Sequence, residues 1–236
     1  MKICVTSGSD DNVYAGKLIQ KLISSNNSPL LVIRKKKKID HVIKSNIKNF
    51  IKPGKSIGEF DLYLSKICKE NNIDILIVDN INSPKVITAI KKLDIDILIN
   101  CGGGIFKEEI INTPKMGILN AHMGYLPTYR GVNVLEWSLF YNHKIGVTLH
   151  YINRGIDTGD ILSFKEIPVY PGDNIKALRE RSADVNIELI LSFFTPGSKM
   201  SPIKQNKEDG KQYFIMHPRL KTLMERKIKL YQKNGD

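Results

Sequence analysis

Cysteine is scarce in this chain, with three in 236 residues, Cys4, Cys68 and Cys101. An odd number without metal-type spacing excludes a disulfide framework and points away from a zinc site. Cys4 and Cys101 fall in or at the ends of apolar strand-like runs, where cysteine acts as a small buried hydrophobe. Long apolar runs are also missing. No stretch approaches the length needed to span a bilayer, and MKICVTSGSDD turns polar too soon for a signal peptide. A cytoplasmic location without membrane contact is the plain expectation.

Neither a Walker lysine nor G-x-G-x-x-G spacing is present, so Gly102-Gly103-Gly104 is not a phosphate loop. Three consecutive glycines instead leave backbone groups that can hydrogen-bond a flat heterocycle closely. The basic run Arg34 to Lys38 lacks the interleaved aromatics of a strand-stacking nucleic-acid surface. It reads as a solvated loop, with a phosphate contact as the sharper alternative. The net charge of +12 attracts phosphates of any kind. Lysine here also travels with abundant isoleucine and asparagine, as in proteins from AT-rich genomes.

Hydrophobic residues at 42% and charged residues at 25% describe an ordinary globular chain. Apolar runs at residues 2–7, 30–33, 73–78, 95–99 and 117–119 read as strands. The intervening helical patterns include Val13 to Ile23, a stretch with Phe60, Leu64, Ile67 and Cys68 at helical spacing, and Lys85 to Leu93. The last opens on Ser83-Pro84, read as an N-cap with proline at the first helical position. Short continuously apolar strands alternating with helices predict an α/β fold, a doubly wound, Rossmann-like and mostly parallel sheet. Ligands of such sheets bind beyond the carboxyl ends of the strands. Further on, a helix is expected over Val134 to Tyr141. Strands are expected over Gly146 to Tyr151 and Ile161 to Val169, and a long helix over Asn174 to Phe194. At Thr195 the composition changes, which predicts a domain over residues 1–194 and an appended segment over 195–236.

Asn120-Ala121-His122 follows a buried strand. In extended backbone, positions i and i+2 face one side, so the amide and the imidazole converge. Such a pair suits a developing oxyanion, although a polar pair at a strand end is also ordinary turn chemistry. Gly155 to Asp160 reads either as a hairpin turn or as a carboxylate aimed at His122. His41, His143 and His150 read as structural or solvated.

In combination these motifs become specific. GILNAHMGYLPTYRG, then a helix, then IGVTLHYINRGIDTGDIL, resembles the folate-dependent formyltransferase family. The signature elements are Asn120 and His122, Leu126-Pro127, Tyr129-Arg130-Gly131, Gly146-Val147-Thr148, and Asp157 with Gly159. The family includes methionyl-tRNA, glycinamide ribonucleotide and sugar N-formyltransferases. The resemblance implies catalysis by Asn120, His122 and Asp157, with 10-formyltetrahydrofolate as formyl donor. It further implies a pterin cradle from the backbone of Gly103, Gly104, Ile105 and Phe106, from Leu126, and from the loop carrying Ile152, Gly155 and Asp157. A cis peptide at Leu126–Pro127 belongs to the same motif. Met123-Gly124-Tyr125 departs from the better-known members, which leaves the amine pocket open. Ser7, Gly8, Tyr125, Tyr129 and Arg130 are expected at the acceptor.

Elimination points to the acceptor class. The stretch after Phe194 is small for the C-terminal barrel of the tRNA enzymes. Ser7-Gly8-Ser9-Asp10-Asp11-Asn12 matches a ribonucleotide phosphate loop poorly. A nucleotide-linked amino sugar for surface polysaccharide synthesis remains as the expected small-molecule partner, and nucleic acid is not expected. The segment QYFIMHPRLK is then an acceptor-site or homodimer contact. The alternatives are transfer to methionyl-tRNA or glycinamide ribonucleotide, or a non-catalytic folate- or nucleotide-binding relative.

Overall fold

A computed structural model describes residues 1–36 and 63–231. It divides into two compact units, Met1–Gly117 and Ile118–Asp236. Lys37, Lys38, His41 and Phe60 lie outside the described residues.

The first unit carries strands β1 (Ile3–Ser7), β2 (Leu31–Lys35), β3 (Asp74–Val78) and β4 (Ile97–Cys101). Their order is β3-β2-β1-β4 and every pairing is parallel. This is the half-sheet order of a Rossmann fold, and the strand order reverses between β1 and β4. All five residues of β1 are buried, as a strand covered on both faces requires. Cys4, Cys68 and Cys101 are buried free thiols, and burial raises the pKa of each.

Helix α1 (Val13–Ser24) starts at Asn12, whose side chain accepts from the Ala15 amide at 3.2 Å. This is an N-cap the apolar periodicity did not reveal. Helix α2 spans Leu64–Glu70. Helix α3 (Pro84–Leu93) opens with proline as expected, but the Ser83 side chain makes no capping bond. At its end Asp94 turns left-handed (φ 54°) and the Ile95 amide still bonds Ile90. That cap delays β4 by two residues relative to the apolar run. A short helix α4 (Glu108–Ile111) follows. Arg34 and Lys35 belong to β2 instead of a loop, and Arg34 pairs with Asp10 at 3.4 Å.

The second unit carries β5 (Ile118–His122), β7 (Gly146–Tyr151) and β8 (Ile161–Glu166), paired antiparallel. Strand β8 stops short of Val169 because Pro168 cannot donate to a ladder. Helix α5 spans Val134–Phe140. Helix α6 (Ile175–Phe193) is capped by Asn174, which accepts from Ala177 at 2.9 Å. The parallel pairings of the first unit outnumber the antiparallel ones of the second, so the chain has the expected α/β, Rossmann-like, mostly parallel class.

Beyond Thr195 the chain folds into this second unit. Strand β9 (Lys211–Tyr213) pairs in parallel with β6 (Tyr129–Gly131). Met216, Met224 and Ile228 are buried along helix α7 (Pro218–Tyr231) and the turn before it. No helix among the described residues is long and apolar enough to cross a membrane.

Candidate active site

Asn120 and His122 sit two residues apart on β5 and so share a face. The antiparallel register sets Asn120 directly opposite His150, and His122 opposite Thr148. Two strands therefore deliver four polar side chains to one place. The loop between β7 and β8 adds Asp157, whose Oδ2 lies 3.4 Å from His122 Nδ1 and whose Oδ1 lies 3.7 Å from His150 Nε2.

Hydrogen-bond chemistry assigns the ring tautomers. His122 Nε2 is 2.9 Å from the Tyr129 carbonyl, which only accepts, so Nε2 carries hydrogen and Nδ1 faces the carboxylate. His150 Nδ1 is 2.8 Å from the Tyr151 carbonyl and donates to it. That leaves His150 Nε2 as acceptor for the Asn120 amide nitrogen at 3.0 Å, which fixes the amide's orientation. Burial, then the like charge of His122, push His150 down to about 4, against the pull of Asp157. His150 is thus neutral near pH 7, as acceptance from Asn120 requires. Its expected role as a merely structural or solvated histidine misses this contact.

This has a consequence for stability. Below its unfolded pKa of 6.5 the unfolded chain binds a proton at this imidazole that the folded chain refuses. Stability should therefore fall as pH drops from about 6.5 toward 4, ahead of the carboxylates that titrate lower. Urea unfolding across that range should show the slope, and His150→Gln should flatten it.

Asp157 adopts a left-handed backbone (φ 52°), costly for a residue with a Cβ. Its Oδ2 accepts from the Gly131 amide at 2.8 Å. Gly159 explains the Asp-x-Gly pattern sterically. A Cβ there would lie 1.8 Å from the Tyr151 carbonyl oxygen, so only glycine lets the loop close on β7. Gly131 (φ 102°) is likewise constrained, with a Cβ 2.1 Å from the Tyr213 carbonyl oxygen.

Thr148 explains Gly-Val-Thr. Its fully buried hydroxyl donates to the Gly124 carbonyl at 2.6 Å and accepts from the Leu126 amide at 3.2 Å. The Leu126–Pro127 peptide just beyond is cis. Thr148→Val keeps the shape and leaves two buried backbone groups unsatisfied. It should cost about 2 kcal/mol, read as a lower urea midpoint at unchanged m-value. Gly124 matters as well, since a Cβ there would lie 2.9 Å from His122 Nε2.

The residues expected at ligands divide by unit. In the second, Tyr125 is 42% exposed with its ring edge-on to Phe164, and Leu126 is buried. Tyr129 is only 1% exposed, stacks on Tyr213 and bonds His143 Nδ1 through its hydroxyl at 2.8 Å. That ring is core, and the acceptor expectation for it is corrected accordingly; its backbone carbonyl is what reaches the site. Arg130 is also buried, bonded to Gln205 and to the Asn206 carbonyl. Ile152 pairs its amide with the Ile118 carbonyl at 2.8 Å. Gly155 lies exposed in a turn closed by Asn153 Oδ1. A cavity of about 610 Å³ opens on this loop, with Arg130, Arg154, Gly155 and Gln212 in its wall.

In the first unit, Ser7 is buried and its hydroxyl bonds the Ser9 carbonyl at 2.8 Å. Gly8 approaches Gly102 so closely that a Cβ would lie 3.1 Å from the Gly102 carbonyl oxygen. The glycine loop is less open than its sequence implies. Asn100 Oδ1 accepts from the Gly102 and Gly103 amides at 3.1 and 2.8 Å. Gly104 (φ 93°) and Ile105 remain exposed, whereas Phe106 is buried.

Two sets of known proteins resemble the chain. The family model described as formyl transferase matches residues 1–193. Methionyl-tRNA formyltransferase of Prochlorococcus marinus is 32% identical over 178 residues, 72% of this chain and 52% of the relative. That of Syntrophus aciditrophicus is 31% identical over 121 residues, 50% of this chain and 39% of the relative. The chain thus spans about half or less of the length of these curated relatives. Among solved structures, a sugar N-formyltransferase from Shewanella has a TM-score of 0.61 at 18% identity, covering 95% of this chain and 87% of its own. The formyltransferase PseJ from Anoxybacillus kamchatkensis, in complex with UDP-4,6-dideoxy-4-formamido-L-AltNAc and tetrahydrofolate, has a TM-score of 0.54 at 22% identity. It covers 90% of this chain and 85% of its own. At these identities the likeness is one of fold.

Proposed function

The chain belongs to the formyl transferase family, and from that premise we propose that it transfers a formyl group to a primary amine. The donor in this reading is 10-formyltetrahydrofolate, and the acceptor is a nucleotide-linked amino sugar destined for surface polysaccharide. The observation that carries it is the convergence of Asn120, His122 and Asp157, with His122 Nδ1 3.4 Å from Asp157 Oδ2.

The amine nitrogen attacks the formyl carbon, whose carbonyl oxygen becomes an oxyanion. The Asn120 amide donates to that oxygen, held in orientation by His150. Nε2 of His122 is engaged by the Tyr129 carbonyl, which leaves Nδ1 as the working nitrogen. At 3.4 Å the Nδ1 to carboxylate contact is longer than a closed charge-assisted hydrogen bond of about 2.8 Å. Catalytic hydrogen bonds often tighten only once substrate is bound. As the intermediate collapses, the bond from the formyl carbon to the folate nitrogen breaks. The proton lost by the amine passes to that nitrogen, with Asp157 as relay.

Support for a sugar acceptor comes from two sides. The fold shared with the Shewanella enzyme covers 95% of the chain, reaching past residue 193. The cavity on the Asp157 loop, with the exposed Arg154 in its wall, suits an acceptor with a phosphate or pyrophosphate. In this reading residues 1–194 form the catalytic domain and 195–236 shape the acceptor side.

The test is to supply purified protein and 10-formyltetrahydrofolate with UDP- and dTDP-linked 4-amino-4,6-dideoxy sugars, glycinamide ribonucleotide and charged initiator methionyl-tRNA. Tetrahydrofolate release and product mass report transfer. A formylated amino sugar is expected. Transfer to methionyl-tRNA alone, the activity in the curated relatives' names, would overturn the acceptor. Folinic acid bound without transfer to any amine would indicate a binding relative.

A further inference from the structure

Gln205 stands between α6 and β9, beyond the residues the family model matches. Its side-chain amide is fully engaged. Oε1 accepts from Arg130 Nε and Nη2 at 3.2 and 3.1 Å. Nε2 donates to the backbone carbonyls of Asp157 and Gly159 at 3.1 and 2.5 Å. A guanidinium only donates and a carbonyl only accepts, so the amide's orientation admits no alternative. Arg130 is 4% exposed and is further held by the Asn206 carbonyl at 2.8 Å. A rigid cation thus anchors one edge of the amide, and the other edge grips the loop.

What it grips is the segment that needs holding. Asp157 adopts a left-handed backbone, a conformation that persists only where its surroundings enforce it. Its carboxylate is tied by the Gly131 amide. The carbonyl of the same residue and that of Gly159 are tied by Gln205. We propose that Gln205 is a positioning residue: through the Asp157 and Gly159 carbonyls it sets where the Asp157 carboxylate stands against His122. The C-terminal segment thereby completes the site with a side chain and not only with packing. The catalytic consequence rests on the function proposed above, whereas the geometric one does not.

Gln205→Glu separates the possibilities. It offers Arg130 the same acceptors, now charged, yet loses both N–H donors and sets a carboxylate against two carbonyl oxygens. If Gln205 served only to partner Arg130, this variant would behave as wild type. In full-length protein labelled with ¹⁵N-histidine, the His122 ring signals can be identified by their loss in His122→Gln. They should move in Gln205→Glu. In the transfer assay, turnover should fall about tenfold with KM for 10-formyltetrahydrofolate nearly unchanged, since a misplacement of about 1 Å can cost about 100-fold. Gln205→Met, of similar length and uncharged, carries the same expectation if the carboxylate variant does not fold.

His122 signals at their wild-type positions would overturn the inference, even if turnover fell, because the effect would then not run through Asp157. Shifted signals in a protein whose wild type transfers formyl to no amine would uphold the positioning role and sink the function.

Discussion

Asn120→Ala should lower formyl-transfer turnover by about 100- to 1,000-fold, the usual cost of one oxyanion donor. In the proposed transfer the charge on the formyl oxygen exists only during the reaction, so its donor must already be aimed and need no reorganisation. In this site the aim is built in. The Asn120 amide nitrogen is tied to His150 Nε2 at 3.0 Å, and His150 is oriented by its own backbone contact to Tyr151. Removing the amide leaves a buried imidazole acceptor unpaired, so about 1 kcal/mol of stability should be lost as well. Urea unfolding separates that loss from the kinetic one. His122→Ala should reduce turnover by the same order. Near wild-type turnover in either purified, folded variant would refute the assignment.

The parts of this site that were legible in the sequence are those where function and strand periodicity coincide. Asn120 and His122 are two residues apart on an extended run, so their shared face followed from backbone geometry. His150 escaped for lack of a register. The same spacing argument places Thr148 and His150 on one face of β7, but nothing local says which residue of β5 stands opposite. Once the pairing Asn120 with His150 is known, the contact follows.

Gly102 to Gly104 illustrate a different gap. Their composition implies an open backbone, and Asn100 two residues earlier takes two of those amides for itself. Asn100 directly follows the apolar run 95–99 and lies within β4, and a single polar residue at that point carries no directional signal. Tyr129, part of the Tyr-Arg-Gly motif, is expected at the acceptor, yet its hydroxyl finds a partner in His143 and its ring a stacking neighbour in Tyr213. Burial of an aromatic depends on elements far along the chain, here β9. Gln205 lies 48 residues from Asp157 in a stretch with no periodicity, so no local pattern could announce it.

Asp157→Asn isolates the charge from the geometry more cleanly than any truncation at this site. Oδ2 both accepts from the Gly131 amide at 2.8 Å and faces His122 Nδ1. An asparagine oxygen at that position keeps the Gly131 bond and sets the amide nitrogen where Oδ1 now stands, 3.7 Å from His150 Nε2, which already accepts from Asn120. The left-handed backbone is no obstacle, because asparagine visits that region as readily as aspartate. Fold and stability should therefore change little, while the negative charge beside Nδ1 disappears. Without it the imidazole loses the carboxylate that faces Nδ1, and in the proposed reaction the amine proton loses its relay. In a serine protease, the corresponding change beside a catalytic histidine costs about 10,000-fold. A loss of about 1,000-fold or more in turnover, with the unfolding midpoint near wild type, is expected here by that analogy. A charge that mattered only for holding the loop would give the reverse, a lower midpoint and near-normal turnover. The ratio of the two effects therefore decides whether Asp157 acts on the reaction or on the fold.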